Sequence, residues 1–293
     1  MDHSLPYAVN CSILFTELPL LERPAAAAEA GFRAVEYWWP FAQSIPADHE
    51  VEAFVSAIDD AGVRLIGLNF SAGDMPGGDR GLVSWPGREA EFRDNVDVAV
   101  GIGKRLGVPA FNALYGNRLP NSAAEEQDNL ADENLAYAAQ AAEQIGAVVL
   151  LEAVSGAPRY PLLTAADVNA VIDRAKTASL RALCDLYHLS VNGDDLDAVI
   201  AADAGRIGHV QIADAPGRHE PGTGELDLDR HLLALQAGGF HGWVGLEYVP
   251  STTTASSFDW VTPERRGAPP PAAPSPAAPS ATAGAAADAK ETR

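Results

Sequence analysis

The chain has few cysteines and no long apolar run. These two absences argue against a disulfide-bonded or zinc-binding protein and against a membrane-spanning one. Its 293 residues include two cysteines, Cys11 and Cys184, each within an apolar segment. They predict buried free thiols of a cytoplasmic protein rather than a disulfide, and their spacing offers no zinc motif. No segment reaches the roughly 18 consecutive apolar residues that a membrane span requires. The N-terminal MDHSLPYAVN lacks the basic and apolar regions of a secretion signal, which also favours a cytoplasmic location.

Basic side chains are scarce as well. Lys and Arg number 20 against 40 Asp and Glu, which gives a formal charge of −20 at pH 7. Such a charge repels nucleic acid and anionic membranes, so we expect neither as a partner. It also opposes the binding of an anionic substrate unless a cation is held locally. Hydrophobic residues make up 47% of the chain, which is enough for a sizeable core.

The composition changes near residue 267. From Gly267 the chain reads GAPPPAAPSPAAPSATAGAAADAKETR, which is dominated by Pro and Ala and contains no aromatic residue. Such a segment cannot bury enough surface to offset the entropy of ordering it. We therefore predict one folded domain over residues 1–266 and a disordered tail over residues 267–293.

Within residues 1–266, short apolar segments alternate with longer Ala-, Leu- and Glu-rich helical patterns. The strand candidates are YAVNCSI, AVEYWW, RLIGLNF, AFNALY, AVVLLEA, RALCDLY, IGHVQIA and WVGLEYV. Eight strands alternating with helices predict an α/β fold of the (β/α)8 TIM-barrel type. An open doubly wound sheet is the alternative, and it is disfavoured because no GxGxxG loop follows the first strand.

Three helix starts can be placed from local signals. Pro24 predicts a helix beginning at Arg23, because proline is tolerated in the first helical turn. Thr164 and the pair Asn121 and Ser122 resemble helix N-caps, since each precedes a helical pattern.

Four polar side chains stand at corresponding positions of the last four strands. They are Glu152, Asp185, Gln211 and Glu247, and they are separated by 33, 26 and 36 residues, about one strand–helix unit each. Alternate residues of a barrel strand point inward, and catalytic groups lie at the C-terminal strand ends. Each of the four lies an even number of residues from the other inward-facing residues of its strand. All four are therefore predicted to face the mouth of one barrel.

A divalent cation explains why three carboxylates would be buried together. Without a counter-charge their burial would cost many kcal/mol. Carboxylate and carboxamide oxygens suit Mg²⁺ or Mn²⁺, whereas zinc is less favoured because none of the four is Cys or His. The alternative, which holds for any one of them taken singly, is a strand-end polar group bonded to the backbone.

Further polar residues are candidates for the same mouth. His188, three residues after Asp185, and Arg218, in the loop after strand seven, are predicted to contact substrate oxygens or a substrate carboxylate. His209 lies one inward layer below Gln211 and is predicted to orient it. A pocket-lining role is predicted for Asn10 and Asn69, and Glu36, Asn112 and Glu220 are weaker candidates.

These residues lie in motifs that resemble the hydroxypyruvate isomerase family. The motifs are HVQIADAPGRHEPGTGELD, GWVGLEYVPSTTT, CDLYH and GDMPGGDRGLVSWPGREAEFRD, and the resemblance runs from Tyr7 to Val261. The family belongs to a larger group of barrels that includes xylose isomerase and ketose 3-epimerases. The 2-oxo-tetronate isomerases are similar too, because they share the elements AGD, which begins one residue before the last motif, and RG, PGRE and EF within it.

The resemblance implies a function for the predicted mouth. Glu152 and Glu247 match the family's acid–base pair, and Glu152, Asp185, Gln211 and Glu247 match its metal positions. Gln211 stands where the 3-epimerases carry histidine, which favours an isomerase over an epimerase. The implied reaction is metal-assisted interconversion of hydroxypyruvate and tartronate semialdehyde through an enediolate, with a small hydroxy-keto acid as substrate. A homo-oligomer is a separate prediction.

Three alternatives stay open at this point. A 2-oxo-tetronate isomerase or another short keto-sugar isomerase would use the same site with more room beyond the metal. The related apurinic endonucleases use several zinc ions on DNA, but they need more histidines and a basic face than this chain offers, with seven His and a charge of −20. A non-catalytic sugar-binding barrel would not need both Glu152 and Glu247.

Overall fold

The structure, a computed structural model, describes residues 3–267. The strands form one closed, all-parallel barrel in sequence order, with the first strand paired to the second and the eighth. The strands are β1 (Tyr7–Asn10), β2 (Ala34–Tyr37), β3 (Arg64–Asn69), β4 (Ala110–Asn112), β5 (Val148–Glu152), β6 (Leu180–Asp185), β7 (Ile207–Ile212) and β8 (Val244–Leu246). The predicted (β/α)8 barrel is confirmed, and closure of the sheet rules out the open doubly wound alternative. The predicted disordered tail lies outside the described residues, apart from Gly267.

Helices follow the strands and cover the outside of the barrel. They are α1 (Arg23–Glu29), α2 (Asp48–Ala61), α3 (Glu89–Leu106), α4 (Ala124–Glu143), α5 (Ala165–Ala175), α6 (Leu186–Asn192), α7 (Leu196–Asp203), α8 (Leu228–Ala237) and α9 (Pro263–Arg266). In residues 3–267, no helix has the length and apolarity that crossing a membrane requires.

The local signals for helix starts were right at two of three places. Helix α1 begins at Arg23 with proline in its first turn, and Thr164 caps α5 by accepting a hydrogen bond from the Asp167 main-chain N–H. The predicted cap at Asn121 and Ser122 is wrong. Helix α4 has Ala123 as its N-cap residue, without a side-chain hydrogen bond.

The apolar core occupies two places. The larger part lies between barrel and helices and includes both cysteines, which are buried and free as predicted. A smaller part fills the barrel's base, where one cluster joins Ala8, Ala34, Ile66 and Trp243 and another joins Ala110, Leu150 and Leu183. The apolar base closes the barrel, so that only its upper end is left for polar side chains.

The upper layer of the barrel interior is polar because the strands end in polar residues. Five of the eight strands have Asn, Asp or Glu as their last residue, and Gln211 is next to last in β7. The strand-end residues are Asn10, Asn69, Asn112, Glu152 and Asp185. Parallel strands bring these ends to one rim, and a candidate site therefore lies at this rim.

Candidate active site

The four strand-end residues predicted to meet do so at the upper end of the barrel. Glu152, Asp185, Gln211 and Glu247 are all buried, each at most 5% exposed. Their strands are neighbours in the barrel, and the register pairs Asp185 with Gln211 directly. Glu247 follows immediately after β8, where its main-chain N–H donates to the Ile212 carbonyl of β7 at 3.1 Å.

Glu36 of β2 connects this group to the far side of the barrel. Its Oε1 accepts from Gln211 Nε2 at 2.7 Å, and its Oε2 lies 2.6 Å from His209 Nε2. Asn10 Nδ2 donates to both Glu36 and Glu247, at 3.1 and 2.8 Å. Gln211 Nε2 also donates to Glu247 Oε2 at 2.6 Å. His209 therefore reaches Gln211 through Glu36, in the layer where an orienting role was predicted for it.

Two oxygens of the group are buried and have no hydrogen-bond partner among residues 3–267: Asp185 Oδ2 and Gln211 Oε1. The other Asp185 oxygen caps α6 by accepting from the main-chain N–H groups of Tyr187 and His188. Both N–H groups of the Gln211 amide donate to carboxylates, so Oε1 is the atom of this amide that is left without a hydrogen-bond partner in the described residues. A buried acceptor without a partner costs about 1–3 kcal/mol. A divalent cation would satisfy both oxygens.

The chemistry of these residues fits a cation. Carboxylate oxygens of Glu152 and Asp185 and a ring nitrogen of His188 all lie within 4.8 Å of one another. Glu152 Oε2 accepts from Asn112 Nδ2 at 2.8 Å, which leaves Oε1 available. Hard oxygen donors of this kind are the ligands that Mg²⁺ and Mn²⁺ prefer.

His188 is better placed to donate to a substrate than to hold the cation. Its Nδ1 accepts the main-chain N–H of Ser155 at 3.0 Å, so the ring hydrogen must be on Nε2. Burial lowers the pKa of His188, although the Asp185 charge opposes this, and burial thereby favours the neutral ring. Its Nε2 is 3.8 Å from Glu152 and 3.7 Å from Asp185. A neutral ring with hydrogen on Nε2 presents a donor, not a lone pair, to this space.

Arg218 reaches the group from the loop between β7 and α8. Its Nη2 donates to Glu247 Oε1 at 2.5 Å, and its guanidinium lies over the Tyr187 ring at 5.5 Å. Its Nε is buried without a hydrogen-bond partner in the described part of the chain. The backbone at Arg218 has φ of +59°, an unfavourable value for a residue with a side chain.

Asp214 holds this loop in shape. One of its carboxylate oxygens accepts main-chain N–H groups of Ala215 and Leu226, and the other accepts that of Gly222. Its main-chain carbonyl accepts the N–H of Arg218 at 3.0 Å. Asp214 thus fixes the turn that directs Arg218 inward, and the left-handed backbone at Arg218 is maintained by these bonds.

The group carries an excess of buried negative charge. Burial raises the pKa of Glu152 well above its ordinary value, and the Glu247 and Asp185 charges add to the shift. Burial also raises the pKa of Glu247 to about 8, while Arg218 opposes the shift. Burial disfavours the charge of Arg218, but the Glu247, Asp185 and Glu152 carboxylates outweigh it and raise the pKa of the guanidinium. Perturbed carboxyl groups in one cleft mark a site suited to acid–base chemistry.

A cavity of about 470 Å³ opens above these residues. It lies within the range of about 300–1,000 Å³ that is usual for small-molecule sites. Of the predicted residues, it is lined by Asn69, Glu152, His188, Arg218 and Glu247.

The predicted pocket residue Asn10 and the three weaker candidates, Glu36, Asn112 and Glu220, are not among the residues that line this cavity. Asn10 uses its amide nitrogen on Glu36 and Glu247, so its predicted contact with substrate stays a prediction. Glu220 accepts from Ser251 and shapes the loop.

The sequence did not single out several residues that shape the site. Arg80 and Trp38 line the cavity, Ser155 sets the hydrogen position on His188, and Asp214 fixes the Arg218 loop. Glu36 was only a weak candidate, although its alternation with Ala34 places it on the inner face of β2. That alternation was the one available signal, because the other contacts are made by loops.

Comparison with known proteins agrees with this geometry. The model of the xylose isomerase-like TIM barrel family matches residues 24–264. A protein of Streptomyces coelicolor named "putative hydroxypyruvate isomerase" is 55% identical over 89% of this chain and 97% of its own length. The hydroxypyruvate isomerase of Escherichia coli is 34% identical over 89% of this chain and all of its own length. The 2-oxo-tetronate isomerase of Cupriavidus necator is also 34% identical, over 88% of this chain and 97% of its own length.

Among solved structures, a protein described as an AP endonuclease of family 2 from Brucella melitensis superposes with a TM-score of 0.80. It is 32% identical over 87% of this chain and 97% of its own. The barrel, its polar rim and the matched length agree with the resemblance found in the sequence. The chain therefore belongs to the xylose isomerase-like TIM barrel family, and it is an isomerase similar to the hydroxypyruvate isomerases of that family.

Proposed function

We propose that this chain interconverts hydroxypyruvate and tartronate semialdehyde by proton transfer through an enediolate. Glu152 and Glu247 are the acid–base groups, and a divalent cation, Mg²⁺ or Mn²⁺, assists. The observation that carries the proposal is that both glutamates are buried at one barrel rim and line one cavity. The substrate is taken from the names of the relatives.

The reaction needs two proton movements and no oxidant. The isomers differ in which of two adjacent carbons carries the carbonyl, so one proton leaves one carbon and one returns to its neighbour, while the oxygens also exchange a proton. A carboxylate with a raised pKa is a stronger base than an exposed one, which suits the abstraction of a weakly acidic C–H proton. Without the cation, burial gives Glu152 and Glu247 this property; a bound cation would lower both pKa values and would make the substrate C–H proton more acidic.

Glu152, Asp185, Gln211 and Glu247 would hold the cation. The free Oδ2 of Asp185 and Oε1 of Gln211 support this set. Glu247 joins it only if Arg218 gives up its hydrogen bond, because both Glu247 oxygens accept bonds from side chains. When bound, a divalent cation supplies Lewis-acid polarisation of substrate oxygens and a local positive charge.

His188 and Arg218 have roles toward the substrate. The Nε2–H group of His188 donates to a substrate oxygen beside Glu152, where it can stabilise developing negative charge. Arg218 has an unused buried Nε, and once it gives up its bond to Glu247 it can donate to a second substrate oxygen. The pair would fix the substrate between the two glutamates.

The second candidate is a 2-oxo-tetronate isomerase. It is favoured by the equal identity of 34% to the Escherichia coli and Cupriavidus necator enzymes, and by a cavity that has room for a fourth carbon. A DNA-directed activity is disfavoured, because a chain of charge −20 repels the phosphates of DNA. A cytoplasmic location and a homo-oligomer stay predictions.

Turnover measurements test the proposal. We expect the purified chain with Mg²⁺ or Mn²⁺ to convert hydroxypyruvate with a higher kcat/KM than a four-carbon 2-oxo-tetronate, and to lose activity in EDTA. Glu152→Gln is the matched inactive control. A clear preference for the four-carbon acid would favour the second candidate, and turnover of neither acid would overturn both.

A further inference from the structure

A second arginine lines the cavity from the side opposite Arg218. Arg80 lies in the loop between β3 and α3 and shares the cavity with Glu152, Glu247 and His188. Strands β3 and β7 are four positions apart in the closed barrel of eight. The loops that follow these two strands therefore approach the rim from opposite sides, and each brings a guanidinium to the cavity.

The two guanidinium groups differ in what they already bind. Arg218 is paired with Glu247, whereas Arg80 uses only Nη1, on the main-chain carbonyls of Met75 at 3.0 Å and Asp79 at 2.7 Å. Among residues 3–267, no carboxylate forms an ion pair with Arg80, and its Nε and Nη2 have no hydrogen-bond partner. By contrast, Arg88 at the end of the same loop pairs with Glu91 and Asp79. Of the two arginines that line the cavity, Arg80 is therefore the one whose guanidinium holds no carboxylate in the described residues.

The main chain at Arg80 is fixed from two directions. The Arg80 carbonyl accepts the N–H of Gly116 at 3.0 Å, and the N–H of Gly81 donates to the Ala72 carbonyl at 3.0 Å. Gly81 has φ of +114°, and a side chain there would overlap the Leu114 carbonyl. Because the loops after β3 and β4 clamp this position, little freedom is lost when Arg80 binds a ligand.

We propose that Arg80 binds the carboxylate of the substrate and makes the site selective for short hydroxy-keto acids over neutral sugars. The proposal rests on the isomerase function proposed above. A guanidinium with a free Nε and Nη2 can hold a carboxylate through two parallel hydrogen bonds. The carboxylate then points to the β3 side of the cavity, and the carbonyl and hydroxyl carbons lie toward Glu152, Glu247 and His188.

Hydroxypyruvate and dihydroxyacetone test the assignment, because they differ only in carrying a carboxylate or a CH2OH group. For Arg80→Met we expect kcat/KM with hydroxypyruvate to fall about 100-fold, while kcat/KM with dihydroxyacetone changes less than about twofold. Arg80→Lys should retain part of the preference for the acid. Arg88→Met removes a charge from the same loop and should leave the ratio of the two kcat/KM values unchanged.

Equal losses on both compounds in Arg80→Met would show a structural role and overturn the assignment, as would no loss on hydroxypyruvate. If the wild-type chain turns over neither compound, the proposed isomerase function fails, and calorimetric binding of glycerate decides the role of Arg80. The assignment then stands if Arg80→Met weakens glycerate binding about 100-fold relative to wild type. It fails if wild type does not bind glycerate or if the variant binds it equally well.

Discussion

The side-chain amide of Gln211 donates to Glu247 Oε2 at 2.6 Å, and the same nitrogen donates to Glu36 at 2.7 Å. These two bonds determine the orientation of the carboxamide, because swapping its oxygen and nitrogen would place an acceptor against two carboxylates. The oxygen of Gln211 is consequently the atom left without a partner in the described residues. The glutamine is suited to this place inside a barrel strand because its N–H groups bind Glu36 and Glu247 while its oxygen can still accept a bond or hold a cation.

The first prediction concerns this oxygen. Gln211→Met keeps the side-chain length and removes the acceptor and both donors, so we expect Mn²⁺ binding to weaken about 10- to 100-fold. Calorimetric titration of the apo-protein measures this. Gln236→Met is the matched control, since Gln236 of α8 bonds Ser4 and lies away from the rim. Unchanged Mn²⁺ affinity in Gln211→Met would remove Gln211 from the metal site.

The second prediction concerns the space that Glu36 occupies. A methyl group added at Gly245 would lie 2.8 Å from Glu36 Cδ, so Gly245→Ala must displace the carboxylate that holds Gln211 and His209. We expect kcat/KM to fall about 100-fold, with a stability cost of about 1–3 kcal/mol. Isomerase assays and thermal unfolding measure the two effects.

Gly101→Ala in α3 serves as the control for that variant. A methyl group at Gly101 meets nothing within 4 Å, and alanine is the better helix former, so activity should be unchanged and stability equal or higher. Full activity in Gly245→Ala would contradict the role given to Glu36.

The third prediction concerns protons released by the cation. Without a cation, the pKa of about 8 keeps Glu247 mostly protonated at pH 7, and burial raises the pKa of Glu152 in the same direction. Cation binding requires their ionised forms, so protons are released and affinity rises with pH from 6 to 8. Mn²⁺ titrations in buffers of different ionisation enthalpy measure the release. If the heat of Mn²⁺ binding did not depend on the buffer, the two carboxyl groups would already be ionised before the cation binds, which would contradict this prediction.

The strand positions of the site could be predicted because a barrel strand alternates with a period of two. This alternation, applied to the ends of the last four strands, was enough to place Glu152, Asp185, Gln211 and Glu247 at one rim. Which side chains bond across the barrel depends on strand register and tilt, which the sequence does not encode locally. The link from His209 through Glu36 to Gln211 joins β7 to β2, and no spacing between those residues indicates it.

Loop contributions could not be predicted for a different reason. Arg80 and Asp214 act through main-chain geometry, with Arg80 clamped by Gly81 and Gly116 and Asp214 accepting several N–H groups of its own loop. The tautomer of His188 depends on one N–H, from Ser155, and any residue other than proline would supply it. The sequence could therefore predict the strand ends and the candidates His188 and Arg218, but not the loop contacts of Arg80, Ser155 and Asp214.

The central claim is that Glu152 and Glu247 move a proton between adjacent carbons of a hydroxy-keto acid. The most direct measurement is to run the isomerisation of hydroxypyruvate in D2O with Mg²⁺ and follow the carbon-bound hydrogens by NMR. The account predicts that solvent deuterium appears at the carbon that receives the proton, because a carboxylic acid exchanges with solvent during turnover. Complete internal transfer without deuterium in the product would indicate a hydride shift and contradict the account.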